Sequence, residues 1–166
     1  MILMILFGHK IITPDDQFFQ LIQEYYDENG VKYIYFLYSV IKDYLTKEKR
    51  DQIEAYIVSK YDETIESFEK KCQLGENDSY ICHLIRNDLV DDFIPYVNRS
   101  KIPLTSKIKK SIYETNEYLI YKTPSLIQYA SFFGSIQIFQ FLKFSDVDLD
   151  ESLWLYAIHS NNAELI

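Results

Sequence analysis

The residues best able to do nucleophilic or metal chemistry are Cys72, Cys82 and the histidines His9, His83 and His159, and their spacing suits neither task. Cys82 and His83 are neighbours, so on a helix their side chains point about 100° apart instead of at each other. The two cysteines form no CxxC or other metal-ligand spacing. A thiol nucleophile would need His9 or His159 brought across the fold as its base. Cys82 sits in an apolar helical pattern, where a cysteine is ordinarily a small buried hydrophobe. His159 is expected at the exposed end of its helix. Carboxylates cluster at Asp15-Asp16, Glu76–Asp78 and Asp91-Asp92, but acidic pairs at helix starts are explained by the positive end of the helix dipole. No Gly-rich phosphate loop, GxSxG or HExxH is present. No catalytic, cofactor-binding or metal site is therefore expected, and no cofactor.

The chain that must position any site has 166 residues, 48% of them hydrophobic, enough for a substantial core. Only 4 Gly and 4 Pro punctuate it, which favours helices joined by short polar links over a sandwich or barrel. The net charge of −8 opposes nucleic acid and anionic membrane surfaces as partners. Two short basic runs, KEKR at Lys47–Arg50 and KIKK at Lys107–Lys110, read as solvated helix faces. Two cysteines make no disulfide framework, so a reducing, cytoplasmic setting is the default. The apolar start MILMILFG is far short of the roughly 20 residues that cross a bilayer and reads as a packed start or a boundary cut into a longer protein.

Helical spacing predicts a first helix in TPDDQFFQLIQEYYDENG, capped by Thr13 and closed by Asn29-Gly30. A second is predicted over 31–45 with Ile34, Leu37 and Ile41 on one face, and a third over 47–61 through Ile53 and Ile57. A fourth holds Ile65, Phe68 and Cys72 and closes near Gly75. From Asp78 the runs shorten. Ile81, Leu84 and Ile85 share a face, and Asp88 is expected to cap LVDDFIPYV, where Pro95 limits or bends the helix. NRSKIPLTS reads as a loop. Ile108, Ile112 and Tyr113 suggest a further helix, and Thr123-Pro124 opens another. Domain boundaries follow: an N-terminal helical region, 1–77, then 78–166.

The second region repeats itself. SLIQYASFFGSIQIF, from Ser125, returns as SLWLYAIHSNNAELI from Ser152, 27 positions later. Leu126/Leu153, Tyr129/Tyr156 and Ala130/Ala157 fall at i, i+3, i+4 and predict one buried stripe. Gly134 and Asn161 are the two residue types that most readily take the left-handed conformation ending a helix. Ser135 and Asn162 then stand as N-caps, followed by Gln137/Glu164 and the apolar Ile138/Leu165 and Phe139/Ile166. Each copy reads as helix, left-handed break, helix. An earlier copy can be drawn over Tyr80–Val97, with Ile85 at the alanine position and Leu89 at the glycine position.

SLIQYASFFGSIQIFQFLKFSDVDL resembles an ankyrin repeat, with Ser125, Ala130, Gly134, Ile138, Phe139, Leu142 and the DVDL at Asp146–Leu149 on its marks. More narrowly, Ser79 to Ile166 is similar to the divergent ankyrin-type domain of unknown function found in expanded families of parasitic protists. The repeat here is shorter than the usual one of about 33 residues, so the β-hairpin finger between repeats is expected to be short or absent. The T-P-L-H opening is reduced to S-L. The resemblance implies an all-α chain: a bundle-like N-terminal region continuing into a stacked ankyrin-like helix-pair solenoid. It also implies a non-enzymatic scaffold for one or more protein partners.

An alternative is an adaptor whose first region docks or oligomerises while the repeats recruit a second protein. A remoter one is a cytosolic hydrolase using Cys82 or an acidic cluster. A repeat buries its stripe only against neighbours, and the sequence stops one turn into a helix without a polar cap. The expectation is a piece of a longer array, or else an end that leaves Trp154 and its neighbours uncovered and open to self-association.

Overall fold

Thr46 and Thr64 set the starts of the two longer helices that follow the opening turns. In the computed structural model, which describes residues 24, 37–145 and 147–165, each threonine is extended and its side chain accepts the N–H three residues on, from Lys49 at 3.4 Å and Ser67 at 3.2 Å. They cap α2 (Lys47–Tyr61) and α3 (Ile65–Leu74). Left-handed residues end both helices: Asp62 at φ 54° and Gly75 at φ 67°. Ahead of them, α1 (Tyr38–Ile41) tightens into a 3-10 turn over Lys42–Tyr44. Leu37, Ile41, Ile53, Ile57 and Phe68 are buried, as their spacing requires. α3 packs against both α1 and α2. The expectations for residues 1–23 and 25–36, His9 and all of the first helix but Glu24 among them, lie outside the described residues, as do those for Asp146 and Ile166.

The described residues are otherwise helical apart from loops, turns and one isolated antiparallel bridge, Lys107 to Ser125. The chain divides into two compact units, residues 1–76 and 77–166. In the second, α4 (Tyr80–Arg86) and α5 (Val90–Arg99) form one pair and α7 (Leu126–Phe133) and α8 (Ile136–Phe144) another. α6 (Glu117–Lys122) lies between them in sequence, and α9 (Leu153–Ser160) follows with a short 3-10 turn at Ala163–Leu165. α7 is the centre of the unit, packing on α4, α8 and α9. Its near-continuous apolar sequence fits that position: Leu126, Ile127, Tyr129 and Ala130 are all at most 2% exposed.

Both left-handed breaks of the repeat are present. Gly134 has φ 72° and Asn161 φ 50°, ending α7 and α9 at equivalent positions. The first helix pair closes the same way, but one residue earlier than the alignment gave. Asp88 takes the left-handed conformation at φ 50°, and the N–H of Leu89 reaches the carbonyl of Leu84, as that of Ser135 reaches Ala130. Leu89 therefore opens α5 instead of breaking the chain. An aspartate tolerates this backbone where leucine does not.

Three further expectations are corrected. Residues 107–113 form no helix. Ile108 donates to Pro124 O at 2.7 Å and Leu126 to Ser106 O at 3.1 Å, which holds the segment extended. Ile108 and Tyr113 are buried while Ile112 is exposed, a spacing no helix stripe has. The helix instead starts later, where Asn116 accepts the N–H groups of Tyr118 and Leu119 and caps α6. Thr123, at φ 45°, ends that helix, and Ser125 opens α7 through a capping box with Gln128. The helix over LVDDFIPYV runs through Pro95 to Arg99, so the loop after it is shorter than read. Pro95 is exposed, and the hydrogen bond it removes is tolerated there.

Candidate functional site

Asp88 and Ser135, both expected to cap their own helices, exchange roles across the helix pairs. The Asp88 carboxylate accepts the N–H groups of Gln137 and Ile138, each at 3.0 Å, and so caps α8 of the next pair. Neither Leu89 nor Ser135 caps its helix with a side chain. The buried Ser135 hydroxyl instead donates to the carbonyl of Ile85 in α4. One pair thus supplies the other with a cap, and receives a hydrogen bond at the end of its own first helix. Between α7 and α9, Gln128 performs a similar service. Its amide oxygen accepts Ser125 N–H at 2.8 Å, and its amide nitrogen donates to Asp150 at 2.8 Å and Ser152 at 3.0 Å.

Cys82 is fully buried within a polar network that the sequence did not reveal. The carbonyl of Asn77 accepts Arg86 Nη1 at 2.8 Å, and the same nitrogen donates to the Tyr129 hydroxyl at 2.9 Å. The Asn77 amide donates to Lys109 O at 2.8 Å, and its oxygen accepts from Ser79. Buried Glu114 accepts the N–H groups of Asn77 and Asn116. This network fastens the segment between α5 and α6 to α4 and α7, so its buried polar groups have partners. Burial pushes the Cys82 thiol up, and Ser79, Tyr129 and Arg86 only partly counter that. Cys72 is raised to about 12, first by burial and then by Glu63 and Glu69. Both shifts disfavour the thiolate that nucleophilic chemistry needs.

The histidines are not brought to either thiol among the described residues. His83 is exposed and meets Asn87. His159 is exposed, stacks on Phe132 with 4.7 Å between ring centres, and meets Tyr118 in a tilted arrangement at 5.0 Å. Asp91 and Asp92 are exposed in the first turn of α5, and Asp78 accepts Ser111 Oγ at 2.8 Å. The described residues hold no group of three or more His, Cys, Asp or Glu able to grip a metal ion. No helix among them is long and apolar enough to cross a membrane.

Two surface features stand out in the second unit. On α9, Trp154, Leu155 and Ile158 are 59%, 38% and 54% exposed, while Tyr156 and Ala157 on the same helix are buried. The second feature is a groove of about 560 Å³ beside α4, α5 and the segment that follows α5. Ile81, Ile102, Ile108 and Leu126 give it an apolar lining, and Lys101, Lys107 and Lys109 stand along it. Two of those lysines belong to the KIKK run, which is therefore an extended edge and not a helix face. Its alternation of lysine and isoleucine was the available signal: period two belongs to a strand.

No protein-family model, curated protein or solved structure matches the chain.

Proposed function

We propose that the chain is a non-enzymatic protein-interaction scaffold of ankyrin-like, stacked helix-pair type. The observation that carries this reading is the uncovered face of α9. On α7, Gln128 and Phe132 meet the next unit, through Asp150, Ser152 and His159. One repeat on, the equivalent positions are Leu155 and His159, with Ile158 equivalent to the fully buried Ser131. The face that α7 gives to its neighbour is thus present again on α9, more apolar and exposed to 38% and 54% at Leu155 and Ile158. Large apolar side chains grouped on one exposed helix face mark an interaction surface.

A photo-crosslinking residue at Trp154 or Ile158 tests the reading. Specific protein adducts, of the chain with itself or with a partner, are expected there and not from an equally exposed position such as Leu74. Absence of adducts from α9 under conditions where the chain is folded would count against a scaffold. The adaptor remains the second reading, favoured by the division into two compact units. Expressed alone, residues 1–77 fold cooperatively if it holds and stay unfolded if the chain is one continuous array. Burial of Cys82, which also pushes its thiol up, weighs against the hydrolase reading.

A further inference from the structure

The groove beside α5 owes its shape to the way the chain leaves that helix. Lys101 is left-handed at φ 52°, its N–H reaches Asn98 O, and Ile102 N–H reaches back to Val97 O at 3.0 Å. This turns Ile102 inward against the core; a turn closed by Ser106 N–H on Pro103 O at 2.9 Å follows, and only from Ser106 does the chain run extended beside the start of α7. The bridge to Ser125 is made by the residues flanking Lys107: Ser106 accepts and Ile108 donates. In that arrangement the N–H and C=O of Lys107 itself point away from Ser125. Neither meets a partner among the described residues. On the same edge the Lys109 carbonyl is already taken by Asn77 Nδ2 at 2.8 Å, so the backbone open to another extended chain is the N–H and C=O pair of Lys107.

Charge adds a second, independent constraint. In a chain of net charge −8, the residues lining this groove include Lys101, Lys107 and Lys109 and no carboxylate. All three lysines are exposed, whereas Ile108 is buried. The volume of about 560 Å³ lies within the range of roughly 300–1,000 Å³ that holds a compact ligand or a few side chains.

We infer that this groove receives an extended, acidic–apolar peptide segment of a partner protein, paired in antiparallel or parallel fashion along the outer edge of Lys107. This rests on the protein-interaction reading above and names the chemistry of one partner. Alternate side chains of a strand face opposite ways, so apolar residues of the segment meet the half-buried Ile81 and Ile102 while its carboxylates lie near the lysines. An acyl-chain amphiphile would satisfy the apolar lining and the cations but would leave the Lys107 backbone groups unused, which favours the peptide.

The test uses the full chain and a labelled probe peptide of alternating glutamate and valine or isoleucine, followed by fluorescence anisotropy. The same peptide with lysine in place of glutamate should bind about tenfold more weakly, and binding to the acidic probe should fall as salt is raised. The exposed K101E/K107E double variant, its fold checked by circular dichroism, should lose at least about tenfold in affinity. N-methylation of alternate peptide amides should abolish binding in one of the two registers, because it removes the groups that pair with the edge. Equal binding of both peptides, indifference to the lysine variants, or full binding of both methylated forms would overturn the inference. So would displacement of the probe by laurate at lower concentration than by unlabelled peptide. Adducts captured from α9 are read separately, so failure here with those adducts intact sinks this inference and leaves the scaffold standing.

Discussion

Gly134 shows how much of the second unit depends on one residue's backbone. Its φ of 72° disfavours any side chain, and a Cβ there would lie 3.3 Å from the Cβ of Ser160. The position thus needs glycine both for conformation and for the close approach of α9. Gly134→Ala is expected to cost about 1–3 kcal/mol, measured by urea denaturation. Asn161→Gly, where only the backbone preference is at stake, is expected to be neutral or slightly stabilising. Ionisable side chains give the second prediction at this scale. Folding raises Cys72 from its ordinary 9.0 to about 12 and Tyr156 from 10.0 to about 12, chiefly by burial. Both are acids kept neutral, so their contribution is complete below their ordinary values. It declines as pH rises from about 9 towards 12, where the unfolded chain ionises first. Melting temperature should fall across that window. Native-state thiol labelling at neutral pH should be about a hundredfold or more slower than in denaturant.

At the scale of elements, the helix starts separate what the sequence could tell from what it could not. Gly75 acts locally and was legible as a helix end; Thr46, Thr64 and Ser125 act just as locally, but their capping roles emerged only with the structure. The stripe Leu126, Tyr129 and Ala130 was legible because it repeats with the helix period. Asp88 was legible only as a capping residue, because the helix it caps begins 48 residues away, at Ile136. Asn116 was overlooked for a different reason. Ile108, Ile112 and Tyr113 suggested a helix before it, whereas Ile108 is buried from an extended segment held by Pro124 and Leu126. The groove was hidden by the same misassigned period, and the Asn77–Glu114 network could not be read at all, since its members are distant in sequence.

Asp88 also yields this scale's prediction. Asp88→Ala removes the acceptor for two N–H groups of α8 and places alanine at a left-handed φ. It should cost about 1–3 kcal/mol. Asp88→Gly restores the backbone but not the cap, and should recover part of that loss. Asp88→Asn keeps the backbone tolerance and one acceptor, and should fall closest to the parent. Equal stability of all three in denaturant titrations would show that the cross-pair cap contributes nothing.

At the scale of the whole molecule, the exposed face of α9 should govern association more than stability. Trp154→Asp with Ile158→Asp removes two exposed apolar groups, so the unfolding free energy should change by less than about 1 kcal/mol. Sedimentation velocity should show any self-association weakened by the same pair of changes. If association is unchanged, the contact lies elsewhere on the chain.

The exchange between Asp88 and Ser135 has a consequence for how the second unit comes apart. A row of helix pairs joined only by greasy surface could fray inward from either end, each pair letting go in turn. Here, melting α4 and α5 would strip α8 of its N-terminal acceptor, and melting α8 would remove the hydroxyl held by Ile85. Each pair therefore raises the cost of its neighbour's departure, and slow-exchanging amides in α4 and α7 should become unprotected together, as one cooperative block.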